Sequence, residues 1–236
     1  MKNSKLRRVL LLLACAVMLV SLSVGATLAY LTSTDSVKNT FTVGQVKIKL
    51  DEADVKTDGT YEKDHDQRVK ANEYHLLPGH EYIKDPTVTV LKGSEKCYVR
   101  TIVTVNNIAD LKAIFPNDVA PDGTFLIQNF VTGWDKTLWV FEKATNEGDT
   151  TKYEFRYFAP VQPEEGEDLV LDDLFETIKF PGQGVTNEEL LKLVDDPTTE
   201  TVEPSLEVNV VAHAIQWDGF ADDDAAWTAF DAEPQE

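Results

Sequence analysis

Apolar residues along much of this chain fall at every second position, the period of a strand with one buried face. Within Pro86 to Leu91, Val88 and Val90 share a face, and within Cys97 to Val105 the residues Cys97, Val99, Val103 and Val105 oppose Arg100 and Thr104. The pattern predicts two antiparallel strands joined by the turn Lys92-Gly93-Ser94. Three more β-prone stretches follow, Phe125 to Val131, Leu138 to Lys143 and Tyr153 to Phe158, with Asn146-Glu147-Gly148-Asp149 as a turn signal. Near the front, Phe41 and Val43 share one parity while Val46, Ile48 and Leu50 share the other, which predicts a strand with a bulge at Gly44. The last strand carries Leu206, Val208 and Val210 on one face, then Val211, Ile215 and Trp217 on the other, with the shift near Ala212.

Helical signals are short. Ile108 to Phe115 reads as a helical turn ended by Pro116, and Asn187 as the cap of a helix from Glu188 to Val194. Ala221 to Phe230 forms a third, with Asp222, Asp223 and Asp224 at its positive end and Trp227 and Phe230 on a core-facing stripe. Residues 51–72 are polar and charged and read as an exposed acidic loop; Leu77-Pro78-Gly79 is a turn, and residues 160–168 form an acidic Pro/Gly loop. The whole predicts a mainly β chain, a jelly-roll-like antiparallel β-sandwich with a few short helices.

The first residues break this pattern. Lys2, Lys5, Arg7 and Arg8 precede a largely apolar run, Val9 to Val24, and then small residues. This is the form of a helical signal peptide over residues 1–29, cut after Ala29, with Thr27 and Ala29 as the small residues in the peptidase pocket and Tyr30 as the new N-terminus. Leu12-Leu13-Ala14-Cys15 looks like a lipobox, yet a lipobox closes its apolar run and this one continues to Val24. Retention as a membrane anchor is the other reading, and the small residues at the junction favour cleavage. Residues 30–236 are then one β-sandwich domain, secreted to the extracellular space, the cell surface or a biofilm matrix. A signal peptidase is its first expected partner, and only the uncleaved segment would touch a membrane.

Charge narrows the partners. The chain has a net charge of −19; residues 1–29 hold four of the 22 basic residues and none of the 41 acidic ones, so the remainder carries −23. Such a charge argues against nucleic acid and is compatible with cations, wall polycations or self-association. Cys97 is the one cysteine beyond the signal, so no internal disulfide forms there, and it reads as a buried small hydrophobe.

The chain lacks HExxH, GxSxG, GxGxxG and Walker patterns. No catalytic residue and no cofactor are assigned on sequence. His75, His80 and Glu81, with His65, are weak candidates for a zinc site, and the bland reading is solvated loop histidines. His213 reads as a hydrogen-bonded sheet residue. Acid clusters at 51–54, 63–66 and 222–224 are candidates for calcium without an EF-hand pattern, against a solvated surface. Trp134 and Trp139 read as aromatic core rather than a sugar platform.

Four pieces in order carry a resemblance: Gly25-Ala-Thr-Leu-Ala-Tyr30, Asn39-Thr-Phe-Thr-Val-Gly44 with the strand from Val46 to Leu50, Leu77-Pro78-Gly79, and Ala214-Ile-Gln-Trp-Asp-Gly-Phe220. In these the chain resembles the exported TasA/camelysin-like proteins of Gram-positive bacteria, whose signals are cut by a dedicated archaeal/ER-type signal peptidase. The resemblance implies a jelly roll that, in matrix members, polymerises into fibres by passing the freed N-terminal strand into the next subunit. Carried onto this sequence, the donor strand lies within residues 30–50 and includes Tyr30, Leu31, Val37 and Phe41. The expectation is a non-catalytic structural protein that self-associates through donor-strand exchange. The alternatives are a metal-dependent peptidase of camelysin type using His75, His80 and Glu81, and a monomeric module binding wall polymer or calcium.

Overall fold

The computed structural model describes residues 44–62, 67–194 and 205–233. The expected signal segment, the expected cleavage residues Thr27, Ala29 and Tyr30, and the expected donor residues Tyr30, Leu31, Val37 and Phe41 lie outside them, as does His65. Gly44 opens the compact unit described below.

The described chain is mainly β, an antiparallel sandwich with three short helices. Its strands are β1 Ile48–Ala53, β2 Arg68–Val69, β3 Glu81–Ile83, β4 Thr87–Val90, β5 Cys97–Val105, β6 Val131–Thr132, β7 Trp139–Glu147, β8 Thr150–Tyr157, β9 Leu169–Val170, β10 Thr177–Lys179 and β11 Val208–Gln216. They form three sheets, in the orders β2-β1-β4-β9, β3-β10-β6 and β11-β5-β8-β7. The helices are α1 Ile108–Ile114, α2 Asn187–Leu191 and α3 Asp223–Ala232.

Alternation explains the core. On β5 the residues Cys97, Val99, Thr101, Val103 and Val105 are each at most 1% exposed. They meet Val88 and Val90 of β4, Tyr153 and Phe155 of β8, and the ring cluster Phe115, Phe125, Phe130 and Phe180 in one apolar core. Burying a side chain of this kind contributes about 1.5–3 kcal/mol. Cys97 is a free thiol inside it, and burial pushes its pKa up to about 11.

Several expectations are corrected. β4 and β5 are not a hairpin: β4 pairs with β1 and β9, β5 with β11 and β8, so residues 91–96 cross from one sheet to another. The real long hairpin is β7–β8, turned at Gly148. The stretch expected as an exposed acidic loop, 51–72, is strand at 51–53 and 68–69, while residues 56–58 and 60–62 are exposed as expected. Asp51 and Glu52 are 7% and 5% exposed at the end of β1, and Glu52 and Ala53 pair with Val69 and Arg68 of β2. Residues of this kind look like loop because their burial depends on distant cations. Gly44 precedes β1, and an added Cβ there would come 2.7 Å from Glu95 Cγ; the residues before it lie outside the described ones.

Helix caps shift by a residue or two. α2 is capped by Thr186, whose hydroxyl accepts from the Glu189 amide while the Glu189 side chain accepts from the Thr186 amide, a capping box. α3 starts after Asp222, whose side chain accepts from the Ala225 amide.

Both faces of β11 are apolar for a reason the sequence hides. Register with β5 pairs Val208 with Val105, Val210 with Val103, Ala212 with Thr101 and Ala214 with Val99, all facing the core. The opposite face carries His213, over which α3 packs with Trp227 and Phe230. There is no change of parity at Ala212: one face meets the core and the other receives a helix.

A candidate strand-accepting groove beside β11

β11 ends its sheet, and among the described residues it pairs with β5 alone. Antiparallel pairing alternates residues that bond their neighbour with residues that do not. The Trp217 amide donates to Lys96 O at 2.8 Å and Glu207 O accepts from the Asn106 amide, so the odd-numbered residues bond toward β5. Val208, Val210, Ala212, Ala214 and Gln216 therefore direct N–H and C=O toward the open edge. Leu206, of the same parity, shows what such a group does when a partner is present: its amide donates to Leu193 O.

The first three of these residues, Val208, Val210 and Ala212, border a groove of about 1210 Å³. Val208, Val210 and Ala212 line one side; Leu50, Leu76, Tyr82, Phe180, Leu190 and Leu193 line others. This exceeds the roughly 300–1,000 Å³ of small-molecule sites. An apolar side, Val208, Val210 and Ala212, beside a row of main-chain groups that have no partner among the described residues is the arrangement that an added strand satisfies, backbone to the edge and alternate side chains into the groove.

The other long edge, β7, is guarded. β7 is as long as β11, but its register with β8 is broken between Phe141 and Lys143, and it carries Glu142, Lys143 and Glu147 at the surface. Bulges and charges of that sort deter strand addition. β11 pairs with β5 without a break over all nine residues and carries neither Lys nor Pro.

An ionic cluster holds the far wall. Arg68 Nε donates to Asp51 Oδ1 at 3.0 Å, one terminal nitrogen donates to Asp85 Oδ2 at 2.6 Å, and the other to the carbonyls of Asp51 and Asp85 and to Thr87 Oγ1. Burial pushes the Asp51 carboxyl up, but hydrogen bonds from Lys49 and Arg68 outweigh it and hold the group below its ordinary range. Asp173 goes the other way: burial raises it, and the bond from Thr87 only partly offsets that.

The candidate metal residues do not converge. His75 borders the groove and its carbonyl accepts from the Tyr82 hydroxyl at 2.9 Å, while His80 Nε2 contacts Asp58 O at 2.8 Å. Glu81 Oε1 accepts from Thr177 and Thr132, bonds that lower its pKa. Among the described residues no three His, Cys, Asp or Glu side chains lie close enough to hold a metal ion. The described acidic clusters are engaged: Asp51 and Glu52 with Arg68 and Lys84, Asp223 and Asp224 with Arg156. Trp139 is fully buried and donates to Asp172 O, and Trp134 donates to Trp139 O, so both serve the core. His213 Nδ1 accepts from Arg100 Nε at 3.2 Å, and burial together with the Arg100 charge lowers its pKa.

The groove was missed in the sequence because it is made by strand order, and the only trace was the unguarded composition of β11. No family model, no curated protein and no solved structure matches this chain.

Proposed function

We propose that this is a secreted structural protein that assembles into fibres by inserting the N-terminal segment of one copy into the β11 groove of the next. The observation that carries the reading is the coincidence on β11 of a nine-residue edge without Lys or Pro and a large groove of mixed lining, to which Val208, Val210 and Ala212 of that strand contribute an apolar side. The donor would be the stretch freed by cleavage after Ala29. Leu31, Val37, Phe41 and Val43 share one parity with Ser33, Asp35 and Asn39, so an extended strand over residues 31–43 presents its four apolar residues to one face, matching a groove of mixed lining, while Thr32, Thr34, Ser36, Lys38, Thr40 and Thr42 face the other way. Cleavage then acts as the switch, because a chain end held in a membrane cannot reach a neighbour.

Charge sets the conditions. At −23 per subunit the copies repel, and the repulsion weakens as salt shortens the screening length from roughly 30 Å at 0.01 M to about 8 Å at 0.15 M. Assembly is therefore expected to be faster at higher ionic strength. The test is electron microscopy and light scattering of chains beginning at Tyr30 and at Gly44. The first should form fibres and the second should stay monomeric; fibres from both would refute the assigned donor.

A further inference from the structure

Three side chains at the groove wall make an arrangement that salt bridging alone does not require. Glu52 of β1 and Lys84, just after β3, have side chains 7% and 10% exposed. Lys84 Nζ donates to Glu52 Oε2 at 2.6 Å. The other oxygen of the same carboxylate, Oε1, accepts from the side-chain amide of Asn72 at 2.9 Å. That amide is fully oriented: its nitrogen also donates to Ala53 O at 2.9 Å, and its oxygen accepts from the Val55 amide at 3.1 Å.

We propose that Lys84 and Asn72 become joined by a spontaneous side-chain amide bond, with Glu52 as the proton carrier. The Lys84 nitrogen, relieved of a proton by Glu52, attacks Cγ of Asn72 and forms the new C–N bond. Charge that develops on Oδ1 meets the Val55 N–H, an oxyanion donor already in position. The Lys84 nitrogen sheds two protons in all. Glu52 relays both to Nδ2, the Cγ–Nδ2 bond breaks, and the nitrogen leaves as ammonium. Nothing is oxidised or reduced and no further reactant enters.

The surroundings favour this. Proximity replaces a bimolecular encounter by one within the fold, and one carboxylate fixes both reacting groups. The Tyr74 and Tyr82 rings pack edge to face with centroids 5.6 Å apart beside it, and Tyr74 donates to Ile83 O. Burial, followed by the Glu52 and Asp85 charges, drives the Tyr74 hydroxyl far above its ordinary pKa. The Lys84 amide is held by Glu176 O and the His75 amide by Thr57 O, so the chain on both sides is fixed before reaction. The product would fasten residues 72–77, one groove wall, to the β3–β4 run by a covalent brace. This holds whether or not the groove accepts a strand.

A tryptic map of the purified full-length protein decides the matter. Unreacted chain gives a peptide from Ala71 to Lys84. The amide removes the positive charge trypsin needs at Lys84, so reacted chain gives Ala71 to Lys92, lighter by one ammonia than its sequence mass. The reacted peptide is expected in wild type, and the unreacted one in Glu52→Gln and Asn72→Ala. Wild-type peptide ending at Lys84 with its full mass overturns the proposal. So does a loss of ammonia with trypsin still cutting after Lys84, which would mean that Asn72 had closed on its own backbone. The wild-type digest alone is decisive, even if a variant fails to fold.

Discussion

Removing the Trp227 side chain should release α3 from the sheet. Trp227 is 2% exposed, its ring lies 4.5 Å below the Arg100 guanidinium, and its centroid is 5.7 Å from that of Phe230. Truncating a buried Trp to Ala destabilises by about 3–5 kcal/mol, and the lost cation–π contact accounts for about 1–2 kcal/mol of the larger figure. Two features place this case at the lower end. α3 has ten residues, too few to persist as an isolated helix, so it should melt rather than hold an empty cavity open. Arg100, 4% exposed under the helix, would then be hydrated instead of left as a buried orphan. The expected loss is about 3 kcal/mol, or a fall in Tm of roughly 6–12 °C for a domain of this size. Urea unfolding measures the first, and hydrogen exchange of the amides from Ala226 to Ala232 locates it. A loss below about 1 kcal/mol, or wild-type protection of those amides, would refute the argument that Trp227 anchors the helix.

Other consequences can be checked in the same way. Arg68→Met leaves Asp51 and Asp85 buried without their shared cation and should destabilise by about 3–5 kcal/mol in denaturant titration. Asp173→Asn should stabilise at neutral pH. A carboxyl raised by burial opposes folding once ionised, so the gain should be full above its raised folded value, shrink as pH falls through that value, and be gone below its unfolded value of about 3.9. Asp231 and Glu81 have the opposite sign, lowered by bonds from Arg100 and from Thr177 and Thr132. Their contribution is present above about 4 and lost as pH drops through their folded values, which acid titration followed by circular dichroism will show. Gly59→Ala should lower Tm, because φ is +76° there and the added Cβ would approach Tyr82 Cα to 2.7 Å. Cys97 should resist thiol reagents in native protein at pH 8 and react on unfolding.

What was legible in the sequence follows from the range of the forces involved. Strict alternation identified β4 and β5, and Asn146 to Asp149 marked the turn between β7 and β8, because both signals are local. Sheet membership was not local, so β4 and β5 were read as partners although each bonds elsewhere. Residues 51–53 looked like solvent-facing loop because their carboxylates are neutralised by Arg68 and Lys84, whose approach no pattern records. The double apolar face of β11 was read as a fault in the strand; its cause is α3, which begins seven residues after the strand ends. The Glu52, Asn72 and Lys84 group is drawn from three separate stretches of chain and has no sequence signature at all.

The central claim is that the free edge of β11 accepts a strand from another copy, and one substitution tests it most directly. The Ala212 N–H points away from β5, so Ala212→Pro removes a donor from the open edge while sparing the β5 ladder, a position where an edge strand tolerates proline. The chain beginning at Tyr30 should lose its fibres under electron microscopy when it carries Ala212→Pro, with a native circular dichroism spectrum and a monomer on sizing. Fibres of unchanged abundance from a folded Ala212→Pro chain would contradict the account.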